Sequence, residues 1–330
     1  MQEAYQFGKG NCADSERKES KMKKVFIDGS AGTTGLRIRE RLAERRELEL
    51  IILDEAVRKD PAARRAALNE ADIAFLCLPD AAAVEAVAMV ENSETVVIDT
   101  STAHRTAAGW VYGFPELSGQ RERVAAARRI ANPGCHASGL IALVKPLVER
   151  GLLDSSVTLH AFSLTGFSGG GKKMIADYAE RNYLGGRQYA LGQTHKHLPE
   201  VVAQCALAAA PVFSPIVVPH LSGMEVTVQL DAASLRGGLG ADPLEAIRDC
   251  YRDYYRDARL VTFADALDDG GFIASDALSG RDSMRVGAYG NRDRILLVSL
   301  FDNLGKGASG AAIQNMNLAL GLDETTGLVI

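Results

Sequence analysis

Short apolar runs and amphipathic segments alternate along the first third of the chain. The apolar runs, rich in β-branched residues, predict four strands at residues 24–28, 48–53, 73–78 and 96–99. The segments between them predict helices at residues 36–46, 62–68 and 81–91. Continuous apolar strands that alternate with helices are typical of a parallel sheet covered on both faces. The pattern therefore predicts a doubly wound α/β domain.

The pattern changes in the second half of the chain, where longer and partly alternating strands are expected. These strands lie at residues 157–162, 216–218, 224–230 and 296–299, with helices at residues 172–181, 199–209 and 243–255. A last helix at residues 305–320 is placed to return to the first domain. We predict a first domain of residues 23–137 plus 303–330, an α+β second domain of residues 138–302, and a polar, disordered extension at residues 1–22.

Composition and charge narrow the class of protein. Of 330 residues, 47% are hydrophobic, and the net charge of −5 leaves no basic footprint for nucleic acid. No apolar run reaches the roughly 20 residues of a membrane helix, and the polar start is no secretory signal. Five irregularly spaced cysteines argue against a disulfide framework. We expect a cytoplasmic protein that acts on a small molecule and, without CxxC or HExxH spacing, binds no metal.

Three glycines, Gly29, Gly32 and Gly35, follow the first predicted strand and open a helix. Glycines there allow a tight turn and let backbone N–H groups approach a pyrophosphate at the helix N-terminus. The spacing is GxxGxxG rather than GxGxxG, so its place in a strand–helix unit is what favours a dinucleotide over a plain turn. The predicted cofactor-binding residues are Gly29, Ser30, Ala31, Gly32, Thr33, Thr34, Gly35, Arg58, Pro79, Ser101 and Asn303.

The residues after the second strand bear on the choice between NAD and NADP. Asp54 stands where a carboxylate binds a ribose 2′-hydroxyl and favours NAD. Arg58 and Lys59 follow closely, and Arg37 is a further cation suited to a 2′-phosphate. We favour NADP over NAD.

Cys135 is the candidate nucleophile. The turn Pro133-Gly134 precedes it, and small residues and then an apolar run at residues 140–144 follow, which predicts a cysteine at a helix N-terminus. The positive end of a helix favours a thiolate, so we expect a lowered thiol pKa. A thiolate is the nucleophile that attack on an acyl group requires. A lone cysteine is more often an inert packing residue, so the assignment depends on the motifs that accompany it.

Two further motifs supply proton transfer and anion binding. His195 and His197 lie in a loop before a proline-started helix, where imidazole is suited to cycling a proton, and we expect Glu200 to orient one ring. The sequence prefers His195 only slightly over His197 as the base. Arg105 follows the fourth strand and is suited to clamping an anion, and residues 163–173 form either an anion cradle or a linker. The predicted substrate-binding residues are Arg105, Asn132, Gly166, Ser168 and Gly169.

Five motifs occur in the order found in N-acetyl-γ-glutamyl-phosphate reductases. They are GSAGTTG at 29–35, the run at 99–105, YGFPEL at 112–117, NPGC at 132–135 and HKHLPE at 195–200. The chain resembles the shorter type of that family over residues 23–320. The resemblance implies a Rossmann-type domain plus a catalytic and dimerisation domain of the semialdehyde dehydrogenase type. It also implies NADPH-dependent reduction of N-acetyl-L-glutamyl 5-phosphate to the 5-semialdehyde and phosphate, in arginine biosynthesis.

The resemblance matches Cys135 to the catalytic cysteine, which forms a thioester. It also matches Arg105 to a substrate-binding arginine, and it matches residues 195–200 to the segment with the histidine base. Residues 136–138 depart from the aromatic-Pro-Thr of many relatives, which affects pocket detail. We expect a homo-oligomer, either a dimer or a tetramer. The alternatives are an aspartate-semialdehyde dehydrogenase, a reductase of a carrier-bound aminoadipyl phosphate, for which the chain lacks a basic docking face, and a nucleotide-binding sensor without catalysis.

Overall fold

The computed structural model describes residues 22–236 and 242–330. Apart from Met22, the extension predicted at residues 1–22 lies outside the described residues. Two sheets organise the described chain, one with six strands and one with seven. The α/β fold class predicted from the sequence is confirmed.

The first sheet is entirely parallel, in the order β2-β1-β3-β4-β6-β5. Its strands are β1 Lys23–Asp28, β2 Leu48–Ile51, β3 Ile73–Leu76, β4 Val96–Asp99, β5 Val111–Tyr112 and β6 Arg129–Ala131. Helices α1 Thr33–Leu42, α2 Pro61–Glu70, α3 Asp80–Ala88 and α4 Gln120–Ala126 connect them. Val25 and Ile27 pack on the α1 side, whereas Phe26 packs on the α2 and α3 side. Both faces of the sheet are therefore buried, which explains why its strands are continuously apolar.

The second sheet is mixed, in the order β11-β12-β13-β10-β7-β9-β8. Its strands are β7 His160–Gly166, β8 Arg187–Gln188, β9 Val212–Val218, β10 Met224–Asp231, β11 Val261–Phe263, β12 Met284–Gly290 and β13 Arg294–Phe301. The helices of this part are α5 Cys135–Glu149, α6 Gly171–Arg181, α7 Leu198–Cys205 and α8 Pro243–Tyr254. Helices α5, α7 and α8 contribute to one hydrophobic core with this sheet.

Two helices connect the sheets. Helix α5 begins four residues after β6 and packs its apolar length into the core of the second sheet. The last helix, α9 Gly310–Ala319, packs into the core of the first sheet through Ala312, Ile313 and Met316. It follows a π-helical turn at Gly305–Ser309, directly after β13. The start of α5 and this π-helical turn therefore meet where the two sheets approach each other.

Candidate active site

Cys135 is the first residue of α5, with Gly134 as the extended N-cap residue. It lines a cavity of about 340 Å³, the catalytic cavity, which lies between the two sheets. Side chains around it that bear on the chemistry are Arg105, His136, Tyr189, His195, Lys196 and His197. The π-helical turn closes one side, because a Cβ atom added at Gly307 would lie 3.0 Å from the Cβ of Cys135. The cysteine predicted from the sequence is thus at a helix N-terminus and faces a cavity.

The expectation of a lowered thiol pKa is wrong for this state of the protein. Burial raises the pKa of Cys135 to about 11. The Arg105 guanidinium and the backbone N–H of His136 oppose this rise, but they do not offset the loss of solvation. Cys135, the candidate nucleophile, is therefore a neutral thiol at neutral pH.

Glu200 holds the turn before the cysteine, and the expectation that it orients an imidazole is wrong. Its Oε1 accepts a hydrogen bond from Nη1 of Arg105 at 2.7 Å. Its Oε2 accepts from the Tyr112 hydroxyl at 2.6 Å and from the Gly134 N–H at 3.1 Å. Glycine is needed at 134, because a Cβ atom there would lie 2.5 Å from Nε2 of His197 and 2.6 Å from Oε1 of Glu200. The carboxylate thereby fixes the position of the loop that presents Cys135.

Arg105 is buried and joins several loops. Its Nε donates to the carbonyl of Asn132 at 3.0 Å, and its Nη2 donates to the carbonyl of Thr100 at 3.1 Å. The guanidinium lines both the catalytic cavity and the groove beside the glycine-rich loop. The guanidinium of Arg105 was predicted to bind substrate. One of its nitrogens instead binds Glu200, and the guanidinium lies where the catalytic cavity and the groove meet.

Two imidazoles and a tyrosine form a hydrogen-bonded chain beside Cys135, and the imidazole of His197 lies next to it. Nδ1 of His195 accepts from the backbone N–H of His197 at 3.1 Å, and its Nε2 lies 3.4 Å from the Tyr189 hydroxyl. That hydroxyl lies 2.7 Å from Nε2 of His136, whose Nδ1 lies 2.8 Å from Oγ of Ser163. Because Nδ1 of His195 is an acceptor, the neutral ring carries its proton on Nε2. His195 is thus arranged to donate a hydrogen bond from Nε2.

Burial keeps these imidazoles neutral. It lowers the pKa of His195 to about 4, with smaller contributions from Lys196 and Arg105. It also lowers the pKa of His136 and His197 well below the usual value. Nδ1 of His197 is buried and, within the described part of the chain, has no hydrogen-bond partner. The site therefore holds neutral imidazole groups next to a neutral thiol.

The amides predicted to bind substrate or cofactor mainly hold loops together. Asn132 donates to the carbonyl of Ala308 at 3.1 Å and accepts from Asn315 at 3.1 Å. Asn303 accepts from the N–H of Gly223 at 3.0 Å and donates to Oγ of Ser168 at 3.0 Å. The other substrate-side residues predicted were glycines: Gly166 lines the catalytic cavity, and Gly169 lines both it and the adjoining groove.

The glycine-rich loop borders that groove, which has a volume of about 490 Å³ and which we call the cofactor groove. The predicted residues that line it are Gly32, Thr33, Thr34, Gly35, Pro79 and Ser101. Oγ1 of Thr33 is buried without a hydrogen-bond partner among residues 22–236 and 242–330. An unpaired hydroxyl at the first residue of α1 is suited to a pyrophosphate, so the residues present fit a dinucleotide.

Besides the catalytic cavity and the cofactor groove, a third cavity, of about 270 Å³, lies at the ends of β1 and β2. Its polar lining includes Gly29, Ser30, Arg39, Arg58, Lys59 and Arg64. Asp54 is not part of the lining, and Ala31 is exposed and lines neither this cavity nor the groove. Arg37, the other cation considered for the 2′-phosphate, instead pairs with Asp302 at 3.6 Å.

Sequence reasoning missed several polar residues of the site. Tyr189 lies in a segment without a periodic signal, and its contacts are long-range in sequence. Lys306 is buried, and its Nζ lies 2.7 Å from both carboxylate oxygens of Glu116 and 2.6 Å from Oε1 of Gln314. Glu116 and Tyr112 both fall in the YGFPEL motif, so that motif was the available signal for the buried carboxylate and phenol.

Membrane-spanning helices and metal-binding clusters are both absent from the described part of the chain. No helix in residues 22–236 and 242–330 has the length and apolar character needed to cross a membrane. The same residues contain no group of three or more His, Cys, Asp or Glu side chains suited to holding a metal ion.

Comparisons with known domains and solved structures agree with this architecture. Residues 53–127 match the semialdehyde dehydrogenase NAD binding domain, and residues 135–303 match the semialdehyde dehydrogenase dimerisation domain. The crystal structure of Vibrio cholerae aspartate semialdehyde dehydrogenase II complexed with ASA is similar, with a TM-score of 0.70, 18% identity, and coverage of 92% of this chain and 99% of that one. The Candida albicans aspartate semialdehyde dehydrogenase with NADP has a TM-score of 0.62, 18% identity, and coverage of 91% and 99%. At this identity the likeness shows the fold.

Sequence relatives are much closer. The N-acetyl-gamma-glutamyl-phosphate reductase 2 of Pseudomonas putida is 43% identical over 311 residues, covering 92% of this chain and 98% of the relative. The reductase of Burkholderia lata is 45% identical over 309 residues, covering 90% and 96%. The reductase 2 of Nostoc sp. is 43% identical over 322 residues, covering 92% and 99%. The resemblance found in the sequence motifs is thereby confirmed, and the chain belongs to the N-acetyl-γ-glutamyl-phosphate reductase family.

Proposed function

We propose that the protein reduces N-acetyl-L-glutamyl 5-phosphate to N-acetyl-L-glutamate 5-semialdehyde and phosphate, with NADPH, in arginine biosynthesis. The observation that carries the proposal is the position of Cys135, at a helix N-terminus, between neutral imidazoles and a groove suited to a dinucleotide. Relatives at 43–45% identity over nine-tenths of the chain carry this reductase name. A cysteine in this setting is suited to acyl transfer from a phosphate leaving group.

In the first step, the sulfur of Cys135 attacks the acyl carbon as its proton passes to an imidazole, and the C–O bond to phosphate breaks to leave a thioester. The N-terminus of α5 provides backbone N–H groups that stabilise the developing oxyanion, a kind of interaction worth about 3–4 kcal/mol. When bound, the nicotinamide supplies the hydride that reduces the thioester. Collapse of the resulting thiohemiacetal returns the thiol of Cys135 and releases the aldehyde.

The geometry favours different tasks for the two histidines of the HKHLPE motif. His195 keeps Nδ1 as an acceptor of the His197 N–H, so its Nε2–H is free to donate a hydrogen bond to an oxyanion, while the proton that the oxyanion takes up is the one removed from the thiol. Nε2 of His197 lies against Gly134, next to Cys135, which supports His197 as the group that takes the thiol proton. His195→Asn and His197→Asn separate these tasks, because only loss of the base slows alkylation of the free thiol.

We propose NADP as the cofactor, with Ser30, Arg58 and Lys59 at the 2′-phosphate and the loop at residues 29–35 at the pyrophosphate. Arg39, Arg58 and Lys59 line the cavity at the ends of β1 and β2, together with Arg64, which pairs with Asp28 of the same lining at 2.8 Å. The three remaining cations and the absence of Asp54 from the lining support NADP over NAD. The matched test is Arg58→Gln against Asp54→Asn. We expect the first to raise KM for NADP about 10-fold with little effect on NAD, and the second to change neither.

We further propose a cytoplasmic homo-oligomer. The match of residues 135–303 to a dimerisation domain supports assembly through the second sheet. Val212 in β9 and Leu296 in β13 lie in one cross-strand row of that sheet, with two strands between them, and both are more than two-fifths exposed in the single chain. Sedimentation of the purified protein gives the number of subunits.

The function is tested in the reverse direction, by phosphate-dependent reduction of NADP or NAD with N-acetylglutamate semialdehyde or aspartate semialdehyde. Turnover with the acetylated aldehyde alone supports the proposal, and the cofactor comparison measures the preference. Turnover with aspartate semialdehyde alone refutes the substrate while keeping the thioester chemistry. Inactivity with both favours a sensor. Cys135→Ser should abolish turnover, whereas Cys250→Ser, at a packing cysteine, should retain it.

A further inference from the structure

A side cavity of about 390 Å³ adjoins the catalytic cavity. Gly170, Met174, Tyr189 and Val217 line both, so the two spaces are neighbours separated by these residues. The side cavity lies between the first turns of α6 and the edge strand β8. Its remaining lining includes Lys173, Asp177, Tyr178, Arg187 and Gln188.

The charges of the side cavity favour an anion. Lys173 and Arg187 contribute two positive charges to the lining, and Asp177 contributes one negative charge. Asp177 is already paired with Arg181 at 2.9 Å and with Arg187 at 3.4 Å. The ammonium of Lys173 has no hydrogen bond or ion pair within residues 22–236 and 242–330. One cation is therefore left to bind a ligand, and the arginines offset the carboxylate.

Aromatic rings hold the second cation in place. The guanidinium of Arg187 stacks over the ring of Tyr183, with its Cζ 3.9 Å from the ring centroid. Tyr183 packs edge-on against Tyr178, which stacks on Phe167 at 4.7 Å between ring centroids. A cation–π contact of this kind orients the guanidinium at little entropic cost to a ligand. Arg187 is thus pre-positioned on the edge strand, with its side chain 48% exposed and open to a ligand.

The wall towards the catalytic cavity is mainly apolar. Met174 and Val217 form it, and the ring of Tyr178 extends it. The substrate proposed above carries its α-carboxylate and its acetamido group on the α-carbon, which is three carbon–carbon bonds from the reacting carbonyl carbon. A carboxylate needs a cation, whereas an acetyl methyl group needs an apolar surface, and the side cavity, which shares four lining residues with the catalytic cavity, offers both.

We propose that the side cavity binds the amino-acid end of the substrate, with Lys173 and Arg187 binding the α-carboxylate and Met174 and Val217 contacting the acetyl group. This inference rests on the proposed function. It assigns specificity for an N-acylated α-amino acid to α6 and β8, while the chemistry stays at Cys135. The same site selects against an aldehyde that lacks the carboxylate, because Lys173 and Arg187 then gain no charge-assisted hydrogen bond.

The test compares two aldehydes, N-acetylglutamate semialdehyde and 4-acetamidobutanal, which is the same molecule without its α-carboxylate. The variants are Lys173→Gln and Arg187→Gln. Their matched controls are Lys172→Gln, an exposed neighbour in α6, and Arg181→Gln, which pairs with Asp177 but does not line the side cavity. Phosphate-dependent NADP reduction gives kcat and KM, and the alkylation rate of Cys135 reports whether the catalytic cavity is intact.

We expect each variant to lower kcat/KM for N-acetylglutamate semialdehyde about 10- to 100-fold, through KM, because a hydrogen bond to a charged group is lost. For 4-acetamidobutanal we expect a change of less than about 3-fold. If wild type is active but Lys173→Gln and Arg187→Gln match their controls, the side cavity is not the carboxylate site and only this inference falls. If wild type does not turn over N-acetylglutamate semialdehyde, the proposed function and this inference both fall.

Discussion

The rate at which Cys135 is alkylated, followed as a function of pH, tests the electrostatics of the site most directly. Iodoacetamide reacts with the thiolate and not with the thiol, so the rate reports the ionised fraction. The perturbation is the pH alone, on the protein without ligands. The helix N-terminus favours ionisation, whereas burial opposes it, and the two effects predict opposite pH profiles.

In the structure, the effect of burial on the pKa of Cys135 is larger than that of the helix N-terminus. A pKa of about 11, against an ordinary value of 9.0, corresponds to about 3 kcal/mol in favour of the neutral thiol. At pH 8 about one thiol in a thousand would then be ionised, compared with about one in ten for an ordinary cysteine. The alkylation rate should therefore be about 100-fold below that of a small-molecule thiol and rise about tenfold per pH unit to at least pH 10.

The assay quantifies the Cys135 peptide by mass spectrometry after timed alkylation. Cys205 is an internal control, because it is buried and its pKa is raised to about 12. Cys135→Ser controls for labelling elsewhere in the chain. A rate that levels off below pH 8 would refute the reasoning, since it would mean that the helix terminus and Arg105 outweigh desolvation.

The buried polar groups predict three further results. Tyr189→Phe removes the hydroxyl between two imidazoles and should lower kcat about 10-fold while changing the unfolding free energy by about 1 kcal/mol; an unchanged kcat would contradict a role in proton transfer. Lys306→Met leaves Glu116 as an uncompensated buried charge and should cost about 3–5 kcal/mol in urea unfolding, against almost nothing for Lys172→Met on the surface. Because the folded site keeps its imidazoles neutral, stability should be fully present above about pH 6.5 and fall as the pH approaches 4, with proton uptake on unfolding; a constant urea midpoint over that range would disprove this.

The parallel sheet was predictable because its strands are buried on both faces and read as continuous apolar runs. The ends of the helices and strands could not be predicted in the same way. Helix α1 begins at Thr33, inside the glycine-rich loop, and ends at Leu42 rather than at residue 46. Arg45 leaves the helix to donate to Asn317 at 2.8 Å, a contact between residues 272 positions apart. Helix α7 ends at Cys205 rather than at residue 209, because Ala206 adopts a left-handed conformation with φ of 52°.

In the second sheet and in the site, too, strand ends and side-chain partners could not be predicted from the sequence. The strand predicted at 157–162 lies at His160–Gly166, and the two-residue strand β8 is too short to give a periodic signal. Motifs identified Cys135 and the histidine loop, but not the partners of Glu200. Proximity in sequence suggested an imidazole, whereas the first turn of α7 directs the carboxylate to Arg105 and Gly134. Contacts made only through the tertiary fold were beyond the sequence.

Loss of solvation shifts the pKa of the thiol and the pKa of the imidazoles in opposite directions, and both shifts favour the uncharged forms. Burial raises the pKa of Cys135 and lowers that of His195 and His197. The free site therefore avoids the cost of a buried ion pair, yet its proton donor and acceptors are already in place. In the mechanism proposed above, charge develops only as the thiol attacks, beside Arg105, Lys196 and the N-terminus of α5. An acyl phosphate brings its own anionic leaving group to these positive charges, so the substrate itself helps to ionise the nucleophile. This arrangement suppresses reaction with adventitious electrophiles in the absence of substrate, at the cost of a proton transfer in every turnover.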